Sequence, residues 1–333
     1  MRKLKKIFDN NFQQTLTIAE IGVNHDGNFT KAKKLINYAK RANFTAVKFQ
    51  IYKTEKLLKK STPLAEYQKS KKKSKNMFDL LEKYKFTYDQ FYNLKKYCDK
   101  IKISFLATPF DNDSAEFLND INVEVFKISS GDLNNFYLLD KIKMFNKPII
   151  ISTGMSEMNA LKNTLKFLNC KKNKLAILHC ISSYPTNLVD TQLSNINRLK
   201  TFGYPVGFSD HTIGMEAAIS AISIGAKIIE KHITLDVNLD GPDHSSSLEV
   251  NKLSKFIKHI DDLTVSINFQ KRRLTISEKK NKKLVTRSLY FKRDLKKNHI
   301  IGFKDLIPLR PFNNGYPIEK FKNLIGKKNK IFC

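Results

Sequence analysis

The sequence predicts an α/β fold: a (β/α)8 TIM barrel followed by a small C-terminal domain. Three observations carry that expectation. Short β-rich runs alternate with segments of helical period, and eight such runs occur in order. The runs are continuously apolar rather than alternating, as strands are when both faces of a parallel sheet are covered. Each run ends in polar residues, which a barrel gathers at one mouth.

The 333 residues accommodate a barrel of ~250 residues and an appendage. The strand-like runs are "LTIAEIGVNHDG", "FTAVKFQIY", "KISFLATPF", "VEVFKISSGD", "KPIIISTGM", "KLAILHCISSYP", "PVGFSDH" and "AKIIEKHITLD". Helical stretches such as "NFTKAKKLINYAKRAN" and "SEMNALKNTLKFLN" connect them. An open doubly wound sheet is the competing arrangement, but no G-x-G-x-x-G follows the first run. A helical stretch from Glu249 to about Arg273 closes the barrel, which ends at residue 275. The Lys-rich segment 276–283 reads as a linker, and residues 284–333 as a module too small to hold much core of its own.

The polar strand ends follow in order. Glu20, Asn24 and His25 lie at or after strand one, Lys48 and Gln50 close strand two, and Thr108 ends strand three. Lys127, Ser129, Ser130 and Asp132 end strand four, with Ser152 and Thr153 after strand five. Strand six ends in His179, Ser182, Ser183 and Tyr184, and strand seven in Ser209, Asp210 and His211. Glu230 and His232 end strand eight, and the next loop carries "GPDHSSS" with Asp243 and His244.

Lys48 and Lys127 among the hydroxyls of Thr108, Ser130, Ser152 and Ser209 suit a phosphate or a carboxylate. His211 and His232 end neighbouring strands, which lie ~4.8 Å apart, so both imidazoles reach one cation such as Mn2+ or Zn2+. Asp210 and Glu230 stand beside them as ligands or orienters. Glu20 and Asp243 are the candidate acid/base or hydroxyl-orienting carboxylates, with His25 and His244 as further candidates.

The charge is extreme, with 60 Lys+Arg against 31 Asp+Glu and a formal net of +29, which attracts anions in general. The lysines run through nearly every segment, the densest being "KSKKKSK" at 69–75. With Trp absent and no aromatic ladder to stack bases, no nucleic-acid partner is expected. No apolar stretch approaches the ~20 residues of a membrane helix, and "MRKLKKIFDNNF" has no apolar core of a signal peptide. Cys98, Cys170, Cys180 and Cys333 form no CxxC pair and read as reduced thiols of a cytoplasmic protein.

The segments "AEIGVNHDG", "AVKFQ", "ATPFD", "FKISSGD", "ISTGM", "LHCISSYPT", "GFSDHTIG", "EKHITLD" and "GPDHSSSLE" together resemble the sialic acid synthase family, over about residues 15 to 250. That family holds N-acetylneuraminate, legionaminate and pseudaminate synthases. The tail from Arg287 resembles the antifreeze-like SAF domain. The resemblance implies that phosphoenolpyruvate condenses with the open-chain aldehyde of an N-acylated mannose-type sugar, with water adding at C2 and phosphate leaving by C–O cleavage. It implies an N-acetylneuraminate or N,N'-diacetyllegionaminate synthase; the alternatives are a synthase making pseudaminate or another phosphoenolpyruvate-derived sugar acid and, on the charge alone, a polyanion-binding barrel.

On this resemblance Glu20, Lys48, Lys127, His211 and His232 are catalytic. Lys48, Thr108, Lys127, Ser130, Ser152, Ser182, Tyr184 and Ser209 hold phosphoenolpyruvate. Gln50, Asp132, Tyr184, Asp243 and Arg310 face the sugar. The metal on His211 and His232 is expected to be Mn2+, with Mg2+, Co2+ and Zn2+ as alternatives. Arg310, in "LRPFNNG", is expected to reach the sugar's acyl group from a partner subunit, implying a domain-swapped homodimer.

Overall fold

Eight parallel strands and the helices between them form a computed structural model that describes residues 4–9, 12, 14–65, 75–267, 271–311 and 315–330. The strands are β1 Leu16–Gly22, β2 Ala46–Ile51, β3 Ser104–Pro109, β4 Phe126–Ile128, β5 Ile149–Ser152, β6 Leu175–Cys180, β7 Val206–Asp210 and β8 Ile228–Thr234. Their order round the ring is β3-β2-β1-β8-β7-β6-β5-β4, with every hydrogen-bonded neighbour parallel. β3 and β4 lie side by side and complete the ring without a ladder between them. A short strand, β9 (Leu248–Glu249), pairs with β8 beyond the mouth.

The helices are α1 Phe29–Arg41, α2 Thr54–Leu57, α3 Met77–Tyr84, α4 Tyr88–Ile101, α5 Asn112–Asp120, α6 Phe136–Met144, α7 Met158–Leu168, α8 Asn195–Lys200, α9 Glu216–Ile224 and α10 Leu253–Ser266. Local chemistry sets their ends. Asn28 caps α1 by accepting from the Lys31 amide, Thr87 and Gln90 form a reciprocal capping box at α4, and Asp111 caps α5. Gly225 closes α9 at φ +106°, a conformation that side chains resist.

Alternation along each strand divides the core in two. Outward residues such as Val47, Phe49, Phe126, Ile151, Ile177 and Phe208 pack under the helices. Inward residues Leu16, Ile18, Ala46, Leu106, Val125, Ile150, Ala176, Leu178 and Ile228 fill the barrel. A 3-10 turn at Leu4–Phe8 adds Leu4, Ile7 and Phe8 to this inner cluster, so the basic N-terminal stretch plugs the floor of the barrel. Above the apolar layer the inward positions turn polar, which is where the candidate site lies.

The chain separates into two compact units, Met1–Asn268 and Phe269–Cys333. The first therefore stops short of residue 275. Segment 276–283 is part of a helix, α11 (Ile276–Val285), rather than a linker. A reciprocal capping box between Thr275 and Glu278 nucleates it, and Arg272 bonds Glu278 at 2.8 Å. The second unit continues with β10 Ser288–Phe291, β11 Leu306–Leu309 and β12 Tyr316–Pro317 in an antiparallel sheet of order β11-β10-β12. Its core is Leu289, Leu295, Ile301 and Leu306. Among the described residues no helix is long and apolar enough to cross a membrane.

Candidate active site

At the C-terminal end of the strands the barrel opens into a cavity of about 440 Å³. Strand register brings its polar groups together. Glu20 pairs in register with Lys48 on one side and His232 on the other, and Gln50 with Thr108. Ser209 is in register with both Cys180 and Glu230.

Two lysines and two glutamates form the floor. Lys48 Nζ lies 3.1 Å from Glu20 Oε2 and 3.6 Å from Glu230 Oε2, and donates to Thr108 Oγ1 at 3.3 Å. Lys127 Nζ donates to Ser152 Oγ at 2.7 Å and lies 3.7 Å from Glu230 Oε1, which also accepts from Ser209 Oγ at 2.8 Å. Gln50 donates to Glu20 Oε1 at 3.2 Å. All four charged groups are buried, so the site holds balanced charge away from bulk water.

Burial dominates the titration of these groups. It pushes Glu20 up to about 7; Lys48 opposes the rise and Glu230 adds to it. Burial opposes the charge on Glu230 too, but Lys127 and Lys48 outweigh it and hold that carboxyl below its usual range. Lys48 is raised, because Glu20 and Glu230 together outweigh its burial. Lys127 is lowered, chiefly by burial.

His211 and His232 meet at the rim of this floor, with ring centroids 5.5 Å apart. His211 Nδ1 lies 2.7 Å from the Ile181 carbonyl, and Tyr184 packs over the ring with centroids 4.1 Å apart. Burial, followed by the charge of His211, holds His232 well below the usual histidine range and therefore neutral. Asp243 Oδ2 lies 3.6 Å from His232 Nδ1, and burial pushes the Asp243 carboxyl up to about 6.

Ser130, Ser152, Ser182, Ser209 and Thr108 line the same cavity as the lysines, as do Gln50, Tyr184 and Asp243. Gly154 lets the wall close in: its amide donates to Ser130 Oγ at 3.0 Å, and a Cβ there would stand 2.3 Å from Ser182 Oγ. The lining also includes the apolar side chains of Leu57, Leu58, Met77, Leu81 and Phe110, together with Tyr52.

One expected sugar contact, Asp132, does not line this cavity. Asp132 accepts from Ser129 Oγ at 2.6 Å and from Asn135 Nδ2 at 2.9 Å, tying down the turn after β4 instead of facing the cavity. Arg310 is exposed in the second unit, just after β11. His25 stacks on Phe86 at 4.0 Å, and burial pushes it down to about 3, so it stays a neutral packing group. His244 bridges Thr234 Oγ1 at 2.7 Å and Asp26 Oδ1 at 3.0 Å, joining the loops after β8 and β1. His179 and Asp210 point outward, toward the helices; His179 meets the Thr191 carbonyl at 2.7 Å.

Glu230 and Cys180 exceed what the motifs conveyed. Glu230 is the shared counter-ion of both lysines rather than an orienter of histidine, and Cys180 lines the cavity 3.8 Å from His211 Nδ1. Two-residue alternation held the signal: Glu230 shares a strand face with His232, and Cys180 with Leu178 and Ser182.

A barrel with buried lysines, glutamates and two histidines at its C-terminal mouth is that of an enzyme acting on a small anionic substrate. The chain belongs to the NeuB family, whose model matches residues 35–272, and with it to the sialic acid synthases. It is 35% identical over 320 residues to the N,N'-diacetyllegionaminic acid synthase of Campylobacter jejuni, covering 95% of this chain and 96% of that one. It is 31% identical to the human N-acetylneuraminate-9-phosphate synthase, covering 93% and 87%. Among solved structures it resembles the N-acetylneuraminic acid synthetase of Leptospira borgpetersenii, with TM-score 0.72 and 33% identity over 80% of this chain and 90% of that one.

Proposed function

We propose that this enzyme condenses phosphoenolpyruvate with an N-acylated mannose-type sugar, forming a carbon–carbon bond and releasing phosphate. The observation that carries the reading is the buried floor of Lys48, Lys127, Glu20 and Glu230 directly beneath the His211–His232 pair. Lys48 and Lys127, with the hydroxyls of Thr108, Ser130, Ser152, Ser182 and Ser209, offer charge-assisted donors to the phosphate and carboxylate of phosphoenolpyruvate. C3 of that molecule attacks the aldehyde carbon, water adds at C2, and the C2–O bond to phosphate breaks. Glu20, poised near neutrality, takes the proton of the attacking water. Gln50, Tyr184 and Asp243 orient sugar hydroxyls from the wall.

The histidine pair fits a divalent cation, Mn2+ first, with Mg2+, Co2+ or Zn2+ as substitutes. With its Nδ1 turned to the Ile181 carbonyl, His211 has Nε2 left for a ligand bond, and the buried Nδ1 of neutral His232 has no hydrogen-bond partner. Among the described residues no group of three or more metal-ligating side chains surrounds the pair, so waters or substrate oxygens would complete the shell. When bound, such a cation supplies Lewis-acid polarisation of the aldehyde.

The apolar side chains of Leu57, Leu58, Met77 and Leu81 in the lining support an acceptor bearing methyl groups rather than a charged one. Together with the relatedness to legionaminic acid synthases, this favours a 2,4-diacetamido-trideoxymannose and an N,N'-diacetyllegionaminate product. The reading includes a cytoplasmic location and a homodimer in which Arg310 serves the partner's site. The test is phosphate release from phosphoenolpyruvate with Mn2+ and each of four acceptors: the diacetamido-trideoxymannose, its altrose epimer, N-acetylmannosamine and N-acetylmannosamine 6-phosphate. The first is expected to give the highest kcat/KM. Faster turnover of the phosphorylated sugar would overturn the choice of acceptor, and no phosphate release with any of them would overturn the reaction.

A further inference from the structure

Directly behind the two histidines, on the helix-facing side of the barrel wall, lies a buried ion pair that touches nothing in the cavity. Asp210 and Lys231 are register partners across β7 and β8. Each immediately precedes one of the histidines: Asp210 before His211, Lys231 before His232. Their side chains are 0–1% exposed, and Lys231 Nζ lies 2.7 Å from Asp210 Oδ2.

The bonds continue into the backbone around His211. Lys231 Nζ also donates to the Thr212 carbonyl at 2.5 Å. Asp210 Oδ1 accepts from both the amide and the hydroxyl of Thr212, each at 2.8 Å. On the far side, the Thr186 amide donates to the His211 carbonyl at 2.9 Å. The Thr212 amide, which follows His211, is thus tied through Asp210 to Lys231, the residue next to His232, and Lys231 also holds the Thr212 carbonyl.

Two buried ions incur a desolvation cost that only well-made geometry offsets, and apolar residues of similar size commonly serve packing as well. What the pair adds over apolar packing is direction. Its bonds tie the backbone just after His211 to the side chain of the residue just before His232, one strand apart.

We propose that Asp210 and Lys231 are positioning residues that set the separation and aim of His211 and His232. This rests on the reading that the two histidines hold a divalent cation at the mouth. The pair neither meets the substrate nor ligates the cation; it acts through the imidazoles.

The test is the double variant Asp210→Asn with Lys231→Met, which removes both charges together and so leaves no unpaired ion to unfold the protein. Leu165→Ala, in the core beneath α7, is the control for general loss of stability. Calorimetric titration with MnCl2 is made on the wild type, the double variant, the control and His211→Ala, and crystal structures are determined for the wild type and the double variant. The expected result is at least tenfold weaker Mn2+ binding in the double variant, wild-type affinity in Leu165→Ala, and displaced imidazoles in the double variant.

Wild-type Mn2+ affinity and superimposable imidazoles in the double variant would overturn the inference. Equal weakening in Leu165→Ala would also overturn it, since the pair would then act only through stability. If wild type and His211→Ala bind Mn2+ alike, or neither binds it, the cation reading fails. Imidazole positions in the two crystal structures then decide the positioning role by themselves.

Discussion

Lys48 Nζ stands 3.1 Å from Glu20 Oε2, and the two residues are register partners on adjacent strands. The bridge is buried, so Glu20 feels two opposed influences: burial raises its pKa and Lys48 lowers it, leaving it at about 7. Below that pH the carboxyl is protonated and cannot accept the proton of the attacking water. Log kcat/KM is therefore expected to rise with unit slope up to about pH 7 and then level off. Glu20→Gln removes this limb and lowers kcat by roughly 10²–10⁴-fold. Lys48→Met removes the lowering influence, so the limb of its residual activity moves to higher pH. A pH–rate series on the three proteins checks both points; an unmoved limb in Lys48→Met refutes the coupling.

Gly154 gives a steric prediction. A methyl at this position meets Ser182 Oγ at 2.3 Å and Ser130 Oγ at 2.8 Å. Gly154→Ala is expected to raise KM for phosphoenolpyruvate about tenfold or more, because the hydroxyls that face the anion must move. The thermal midpoint should change little, since flexible side chains rather than backbone give way. Steady-state kinetics paired with a melting curve separates the two effects.

The floor of the barrel predicts the opposite split. Leu4 is fully buried within the inner cluster, far from the polar layer. Leu4→Ala should cost about 2–5 kcal/mol of stability through lost burial and the cavity left behind. KM for both substrates should stay at wild-type values. Chemical denaturation alongside kinetics on the folded protein measures this directly.

Arg310 lies in the second unit, and only the resemblance of its segment connects it with sugar binding. If it bonds the acyl group of the acceptor, Arg310→Ala raises the acceptor KM roughly 10- to 150-fold, the worth of a charge-assisted hydrogen bond of about 1.5–3 kcal/mol. KM for phosphoenolpyruvate stays unchanged. Mixing this variant with Lys127→Ala restores part of the activity if the arginine is supplied across subunits. An unchanged acceptor KM removes the second unit from the site.

The strand count and the polar mouth were legible because β-rich runs and strand-end residues are local features of the chain. So was the approach of His211 to His232, since consecutive barrel strands are neighbours. Less legible was the direction of each side chain. Asp210 and Glu230 read alike beside their histidines, yet alternation sends Asp210 toward the helices and Glu230 into the cavity. Asp132 sits one turn past a strand of three residues, where the chain has left the strand period, so its neighbours Ser129 and Asn135 decide its direction. The helix at 276–285 was masked by its lysines, with a capping box and no buried face to mark it. The floor plug was hidden because a five-residue turn has no periodicity to detect.

The missing ladder between β3 and β4 has a consequence for ligand binding. The ring is stitched everywhere but along this seam, and Lys48 and Lys127 lie on opposite sides of it, on β2 and β4. A doubly charged anion gripped by both ammonium groups would act as the absent stitch. Amide protons along the two lips should then exchange with deuterium more slowly when phosphoenolpyruvate is bound, while those of β6 and β7, already laced on both edges, change least.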